Sequence, residues 1–335
     1  MLLLALACTP TASDGGAAAT CGTWVDVEAL EAAAGWIEDG DVAIDSFSVH
    51  HCGTLQVEGY WNGYASTTPH ELQSATKSYA GVLTGLLVGD GVVGLDQPVV
   101  ELLPAYEELF VGEKAEITVR HLLTMTSGLS WQDFGTLNSF DRIRAAEDSV
   151  AFVLGEPLDA SPGEVFHYNT GSSHLLSAVV QAQTGDALAF AESRLFGPLG
   201  IDDWVWPVLA DGVPQGGWGM ELVPSDFAKL GQLLLDEGRW EGEQVLPADF
   251  VEAATSWQVE TEYGGGYGFQ LWVQTEWFEV DDIAAARGYG GQDCFVLEGQ
   301  DAVVTFTGDI DYPDEMAADV LELMNEHVLP ALSVP

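Results

Sequence analysis

Apolar positions change their spacing four times along the chain. Residues 25–38 carry them at helical intervals, which predicts an amphipathic helix. Residues 42–50 and 54–61 alternate instead, with Cys52-Gly53 between them, which predicts a β-hairpin. The run Ser78–Val88 is mostly apolar and free of proline, so a helix is expected to open near Ser74. Gly89-Asp90-Gly91 ends it, and Asp96-Gln97-Pro98 marks the next turn. From about 99 to 250 the spacing stays mostly helical, cut by Pro/Gly breaks such as Ser161-Pro162-Gly163 and Gly197-Pro198. Runs rich in Val, Phe, Trp and Thr at 267–273, 293–298 and 301–307 predict strands. Residues 314–330 predict a closing amphipathic helix.

Together these elements predict an α+β fold. An antiparallel sheet drawn from both ends of the chain is flanked by the terminal helices, and a mostly helical lobe is inserted into it. The sheet part would take about 21–73 and 251–335, and the lobe about 74–250. A cleft between the two is the expected place for a site.

Composition narrows the function. With 335 residues and 47% hydrophobic content, the chain can bury a large core. It has no apolar run of 18 residues, so no helix is expected to span a membrane. Fifty-three acidic against nine basic side chains give a net charge of -44. Such a surface repels nucleic acid and anionic lipid, and reads first as a device for solubility.

The first residues, Met1 to Cys8, end in Leu-Ala-Cys, which looks like the cleavage box of a bacterial lipoprotein. The segment is shorter than a full apolar leader and lacks a positive start. The expectation is an exported, cell-envelope protein lipidated at Cys8, with residues 1–20 as leader remnant and tether and 21–335 as one catalytic domain. Cys21 and Cys52 flank the first helix and strand, which allows a disulfide in an oxidising compartment. Cys294 then stays a buried thiol. No Cys/His spacing suggests a metal, and no cofactor is expected.

Candidate chemistry centres on Ser74-Ala75-Thr76-Lys77. Residues three apart on a helix are neighbours, so the Lys77 amine reaches the Ser74 hydroxyl and can take its proton. Unpaired N–H groups at a helix start also favour negative charge. Lysine is scarce here: Lys77, Lys114 and Lys229 are the only three. Ser-x-x-Lys alone is a short pattern, and its context carries the weight. Tyr168, in the loop Phe166–Gly171, is a candidate acid or base. Gly288-Tyr289-Gly290-Gly291 opens a strand where backbone and ligand can approach closely, and an N–H there could complete an oxyanion hole with that of Ser74.

In the order and spacing of several stretches the chain resembles the beta-lactamase-related serine hydrolase family. That family includes class C beta-lactamases, D-alanyl-D-alanine carboxypeptidases, esterases and amidases. The stretches are Gln73–Ser78, Asp90–Pro98, Ile117–Leu129, Pro162–Gly171, Pro224–Leu230 and Gly288–Gln292, and the likeness runs from about 40 to 325. The resemblance implies Ser74 as the acylated nucleophile, Lys77 as its proton partner and Tyr168 as the tyrosine of a Tyr-x-Asn motif. It implies the N–H groups of Ser74 and Tyr289 as the oxyanion hole. Asn169, Thr170, Arg287 and Gly288 would contact substrate.

Two positions depart from the family pattern. Thr170 stands where the motif has Asn, with Asn169 one place early. Ala286 stands where the third motif has Lys or His, followed by Arg287, which in a regular strand would face away. The implied reaction is acyl transfer from a small-molecule or peptide ester or amide, with beta-lactams poor substrates. The alternative is a non-catalytic member of the fold that binds penicillin or peptidoglycan. The absence of any Gly-x-Ser-x-Gly elbow speaks against an alpha/beta-hydrolase.

Overall fold

The computed structural model describes residues 25–332 except 41, 134–137, 275, 279 and 281. Cys8 and Cys21 lie outside the described residues. Helix α1 (Val27–Asp39) starts where the Asp26 side chain accepts the Ala29 N–H, and it buries Leu30, Ala33, Ala34 and Ile37. That spacing is one face of a helix. Strands β1 (Ile44–His51) and β2 (Thr54–Tyr60) form the expected hairpin.

The main sheet continues from the far end of the chain. It adds β3 (Val259–Glu260), β4 (Gly266–Tyr267), β5 (Trp272–Val273), β6 (Ile283–Gly288), β7 (Gln292–Leu297) and β8 (Ala302–Gly308). The order is β2-β1-β8-β7-β6-β5-β4-β3, antiparallel throughout. The two chain ends therefore meet at the β1–β8 pair.

The sheet is covered on both faces, so its central strands are buried on both sides. Phe47, Val49, Ile283, Ala285, Phe295, Val304 and Phe306 pack against α1 and the C-terminal helix α7 (Pro313–Leu323, running on to Leu332). Ala284, Ala286, Cys294, Val296 and Val303 face the helical lobe. Alternation along a strand assigns each residue to one of these cores.

The lobe is built round α2 (Thr76–Gly89), which is buried on every side from Thr76 to Leu87. That accounts for its nearly unbroken apolar sequence. Packed in the lobe are α3 (Val119–Leu123), α4 (Ser149–Gly155) and α5 (Thr170–Thr184), while α6 (Pro224–Leu235) lies on β7 and β8. No helix among the described residues is long and apolar enough to cross a membrane.

Strand β6 is absent from the apolar pattern. Three consecutive alanines, Ala284–Ala286, carry little strand propensity and owe their conformation to β7 and β5 alongside. The expected strand at 267–273 is two short ones, broken where Gln270 takes φ +59°. The Gln270 side chain is buried there, accepting from Ser173 Oγ and donating to the carbonyls of Leu122 and Leu123. Its own carbonyl accepts from Ser78 Oγ. One residue thus ties α2, α3 and α5 to the sheet.

Candidate active site

Ser74 sits in a single 3-10 turn, Gln73–Ala75, that leads into α2. Gln73 holds φ +48°, a left-handed conformation that costs a non-glycine residue about 1–3 kcal/mol. Such strain persists only where the surroundings impose it, and here they do. Leu72 N–H donates to Met220 O at 2.7 Å and Met220 N–H donates to Thr76 Oγ1 at 3.2 Å. His70-Glu71 pairs with Glu221-Leu222. The chain before Ser74 is thereby stitched to residues 220–222.

That stitching delivers Gly217. Lys77 Nζ donates to Ser74 Oγ at 2.9 Å and to the Gly217 carbonyl at 2.9 Å, while its stem is 1% exposed. Among the described residues Lys77 has no ion-pair partner. A Cβ on Gly217 would meet Thr170 Cγ2 at 2.5 Å, so only glycine lets this carbonyl come so close. Lys77 Nζ also lies 4.8 Å from the Tyr168 ring centroid. Tyr168 stacks on Trp272 and meets Tyr267 edge-on. An amine within hydrogen-bond reach of a hydroxyl, itself held by a third group, is the arrangement of an activated nucleophile.

The neighbouring residues divide clearly. Thr170 Oγ1 donates to Asp133 Oδ2 at 3.0 Å, and Trp131 Nε1 holds the other oxygen at 2.8 Å. Gly288 ends β6 against the Ser74 turn: a Cβ there would meet Leu72 O at 2.3 Å. Tyr289 follows at the hairpin turn, its side chain 47% exposed. The structure therefore brings Ser74, Lys77, Tyr168, Thr170 and Gly288 into one region, with Tyr289 next to the last of them.

Two expected substrate contacts are corrected. Asn169 is 1% exposed and caps α5, accepting from Ser172 N–H and donating to Leu129 O. The helix thus starts at Thr170, inside the expected loop Phe166–Gly171, and the Asn169 amide is spent on backbone. Arg287 lies on the opposite sheet face from Ala286. It makes a two-bond contact with Asp293, 3.0 and 3.1 Å, and covers Trp277 and Phe295. Asp293 is only 1% exposed. Arg287→Met would leave that carboxylate buried and unpaired. It is expected to lower unfolding stability by about 2–4 kcal/mol with ester kcat unchanged, as read by urea melts and steady-state kinetics.

Cys52 is disulfide-bonded, and Cys294 is a free, fully buried thiol pushed up to about 12 by burial. Of the tryptophans, Trp272 stands beside Tyr168, whereas Trp204 and Trp206 pack on Phe196 in the lobe core. Sequence reasoning missed Gly217, Asp133 and Tyr263. Tyr263 is half-exposed next to Trp272, and burial followed by its Glu262 partner pushes it up to about 12. The doublet Gly216-Gly217 was the only local signal for the first of these.

A cavity of about 280 Å³ opens one residue from Ser74, lined by Glu71, Gln73, Phe140, Arg144, Trp218 and Glu221 among others. Burial, and then the facing Glu221, push the Glu71 carboxyl up, with Arg144 opposing. A larger cavity of about 570 Å³ lies elsewhere, between α6 and β6–β7, and none of the Ser74 site residues lines it.

The fold and this site define the beta-lactamase/transpeptidase-like architecture. The chain belongs to the Beta-lactamase family, whose model matches residues 30–328. It is 35% identical over 149 residues to Esterase EstB of Burkholderia gladioli, a match that covers 41% of this chain and 38% of the esterase. EstCE1, a hydrolase with promiscuous acyltransferase activity, superposes with a TM-score of 0.72 at 18% identity, covering 88% of this chain and 99% of that one. A penicillin-binding protein homolog from Caulobacter crescentus gives 0.71 at 16% identity, over 92% and 98% of the two chains.

Proposed function

We propose that this protein is a serine hydrolase of the Ser-x-x-Lys type, acting on small-molecule or peptide acyl donors through an acyl-enzyme. The observation that carries the reading is the Lys77 amine, 2.9 Å from Ser74 Oγ and steadied by Gly217 O. Ser74 Oγ attacks the carbonyl carbon and its proton passes to Lys77. That proton then goes to the leaving oxygen or nitrogen, with Tyr168 alongside, and water afterwards cleaves the Ser74 ester. N–H groups of Ser74 and Tyr289 are the proposed donors to the oxyanion. The esterase relative supports an ester as the first substrate to try.

Beta-lactams fit less well. Ala286 is buried and offers no charge, and Arg287 is committed to Asp293 on the other face. A substrate carboxylate thus lacks a charge-assisted partner on β6, a contact worth about 1.5–3 kcal/mol, or about 10–100-fold. The test is intact-protein mass after treatment with a fluorophosphonate and, separately, a fluorescent penicillin. We expect one fluorophosphonate adduct that disappears in Ser74→Ala, and penicillin labelling slower by that factor. Folded wild type that takes neither label would favour the non-catalytic, ligand-binding alternative.

A further inference from the structure

Below the site, groups from three parts of the chain form one directed hydrogen-bond chain. Ser149, the first residue of α4, donates through its N–H to Asp211 Oδ2 at 2.7 Å and through Oγ to the same atom at 2.5 Å. His174, on α5, lies 2.6 Å from Ser149 Oγ through Nε2. Gly216 N–H donates to His174 Nδ1 over a long 3.5 Å. Ser, His and Asp are the residues of a nucleophilic triad, but the wiring is different: the carboxylate holds the serine, not the imidazole. Both Ser149 and His174 are 0% exposed, so neither meets a substrate.

The protons in this chain can be assigned. A backbone N–H only donates, so Nδ1 is the acceptor and Nε2 carries the hydrogen. Nε2–H then donates to Ser149 Oγ, whose own hydrogen is used on Asp211. His174 is therefore neutral, in keeping with burial that pushes it down to about 4. The free end of the chain is Gly216, and the next residue is Gly217, the acceptor for Lys77. This segment lies hard on α5: a Cβ on Gly216 would meet Ser173 O at 2.3 Å and His174 Cα at 2.8 Å. Its near end is held by Val213 N–H on Asp211 Oδ1, and Gln215 O accepts from Trp206 Nε1.

We propose that His174 is a positioning residue: through Gly216 it fixes the Gly217 carbonyl, which in turn keeps Lys77 Nζ aligned on Ser74 Oγ. The inference rests on the serine-hydrolase reading above. It carries an acid sensitivity. Protonated His174 presents an N–H to the Gly216 N–H, two donors facing each other, and the clip opens. Asp211 faces His174 from the loop. Asp148 caps the adjoining α4 and Lys77 comes from α2 by way of Gly217 O. From α3, Arg120 is turned outward to Asp96 and His121 is bonded to Thr118 N–H. Glu101 of the packed helix Val99–Leu102 is exposed.

The test compares His174→Leu with His174→Asn. Leucine keeps the bulk and removes the acceptor. Asparagine places Oδ1 near the Nδ1 position and does not titrate in the acid range. For a neutral ester at pH 7, His174→Leu is expected to lose about 10–100-fold in kcat with KM little changed. His174→Asn should recover most of that loss and flatten the acid limb of the pH profile between 6 and 4. If His174→Leu does not fold, Ser149→Ala, which frees the imidazole to turn, is expected to show a smaller loss of the same kind. A crystal structure of whichever of these two variants folds should show Gly217 O out of hydrogen-bond range of Lys77 Nζ, whether or not the enzyme is active. Wild-type kcat and an undisturbed Lys77–Gly217 contact in that variant would overturn the proposal. An inactive, unlabelled wild type would instead overturn the hydrolase reading, and the crystal structure would still decide the role of His174.

Discussion

Lys77→Met is expected to cut kcat for a neutral ester by about 10³-fold or more while leaving the fold at least as stable as wild type. The two halves of that result come from one observation. Lys77 is 1% exposed, and among the described residues its amine has no carboxylate to pair with. Its bonds go to one hydroxyl and one carbonyl. Burying an amine in that setting costs solvation that two neutral acceptors do not fully return. Methionine has a similar length and flexibility and carries no polar hydrogen. The exchange forfeits a donor to Gly217 O, worth about 1 kcal/mol, and removes a larger desolvation cost. A lysine kept for structure would behave in the opposite way, losing stability with little change in turnover. Steady-state kinetics and urea unfolding of the same preparation separate the two. A variant that keeps a tenth of the activity, or one that loses several kcal/mol, would sink the assignment.

That lysine was legible because its relation to Ser74 is local. Three residues apart on a helix is a fact of spacing, and alternation with a Cys52-Gly53 turn made the β1–β2 hairpin equally readable. What holds Lys77 in place was not legible. Gly217 lies 140 residues further on and contributes a backbone carbonyl, which has no signature in the side-chain sequence. The same limit explains β6, whose alanines become a strand only through the register Ala286↔Cys294 and Gly288↔Gln292. Asn169 failed for a different reason. An asparagine before a helix is as good a cap as a substrate ligand, and the choice depended on whether the helix began inside the loop Phe166–Gly171 or after it. Arg287 was placed by motif among the substrate contacts, although strand alternation already turned it away. Asp293, one strand across, takes its charge.

Gly288→Ala is expected to cost about 1–3 kcal/mol of stability and about 10²-fold in kcat, from a single added methyl. Gly288 does not have a positive φ, so alanine suits its backbone, and β propensity would even favour the change. The obstacle is steric. The new Cβ would stand 2.3 Å from Leu72 O, 3.0 Å from Gln292 Cβ and 3.2 Å from Gln73 Cβ. Leu72 O is the acceptor for Ala75 N–H, the bond that closes the turn carrying Ser74, and Leu72 N–H is itself tied to Met220. Neither neighbour can yield without moving the other. Displacing Leu72 therefore tilts Ser74 Oγ relative to Lys77 and widens the gap to the end of β6, which carries the proposed second oxyanion donor. Gly299→Ala is the matched control: its Cβ would make an ordinary 3.6 Å contact with Asp282 Oδ2, and both stability and kcat should stay near wild type. Wild-type turnover in folded Gly288→Ala would mean that β6 and the Ser74 turn adjust independently, and the close approach of the two segments would then have no part in the chemistry.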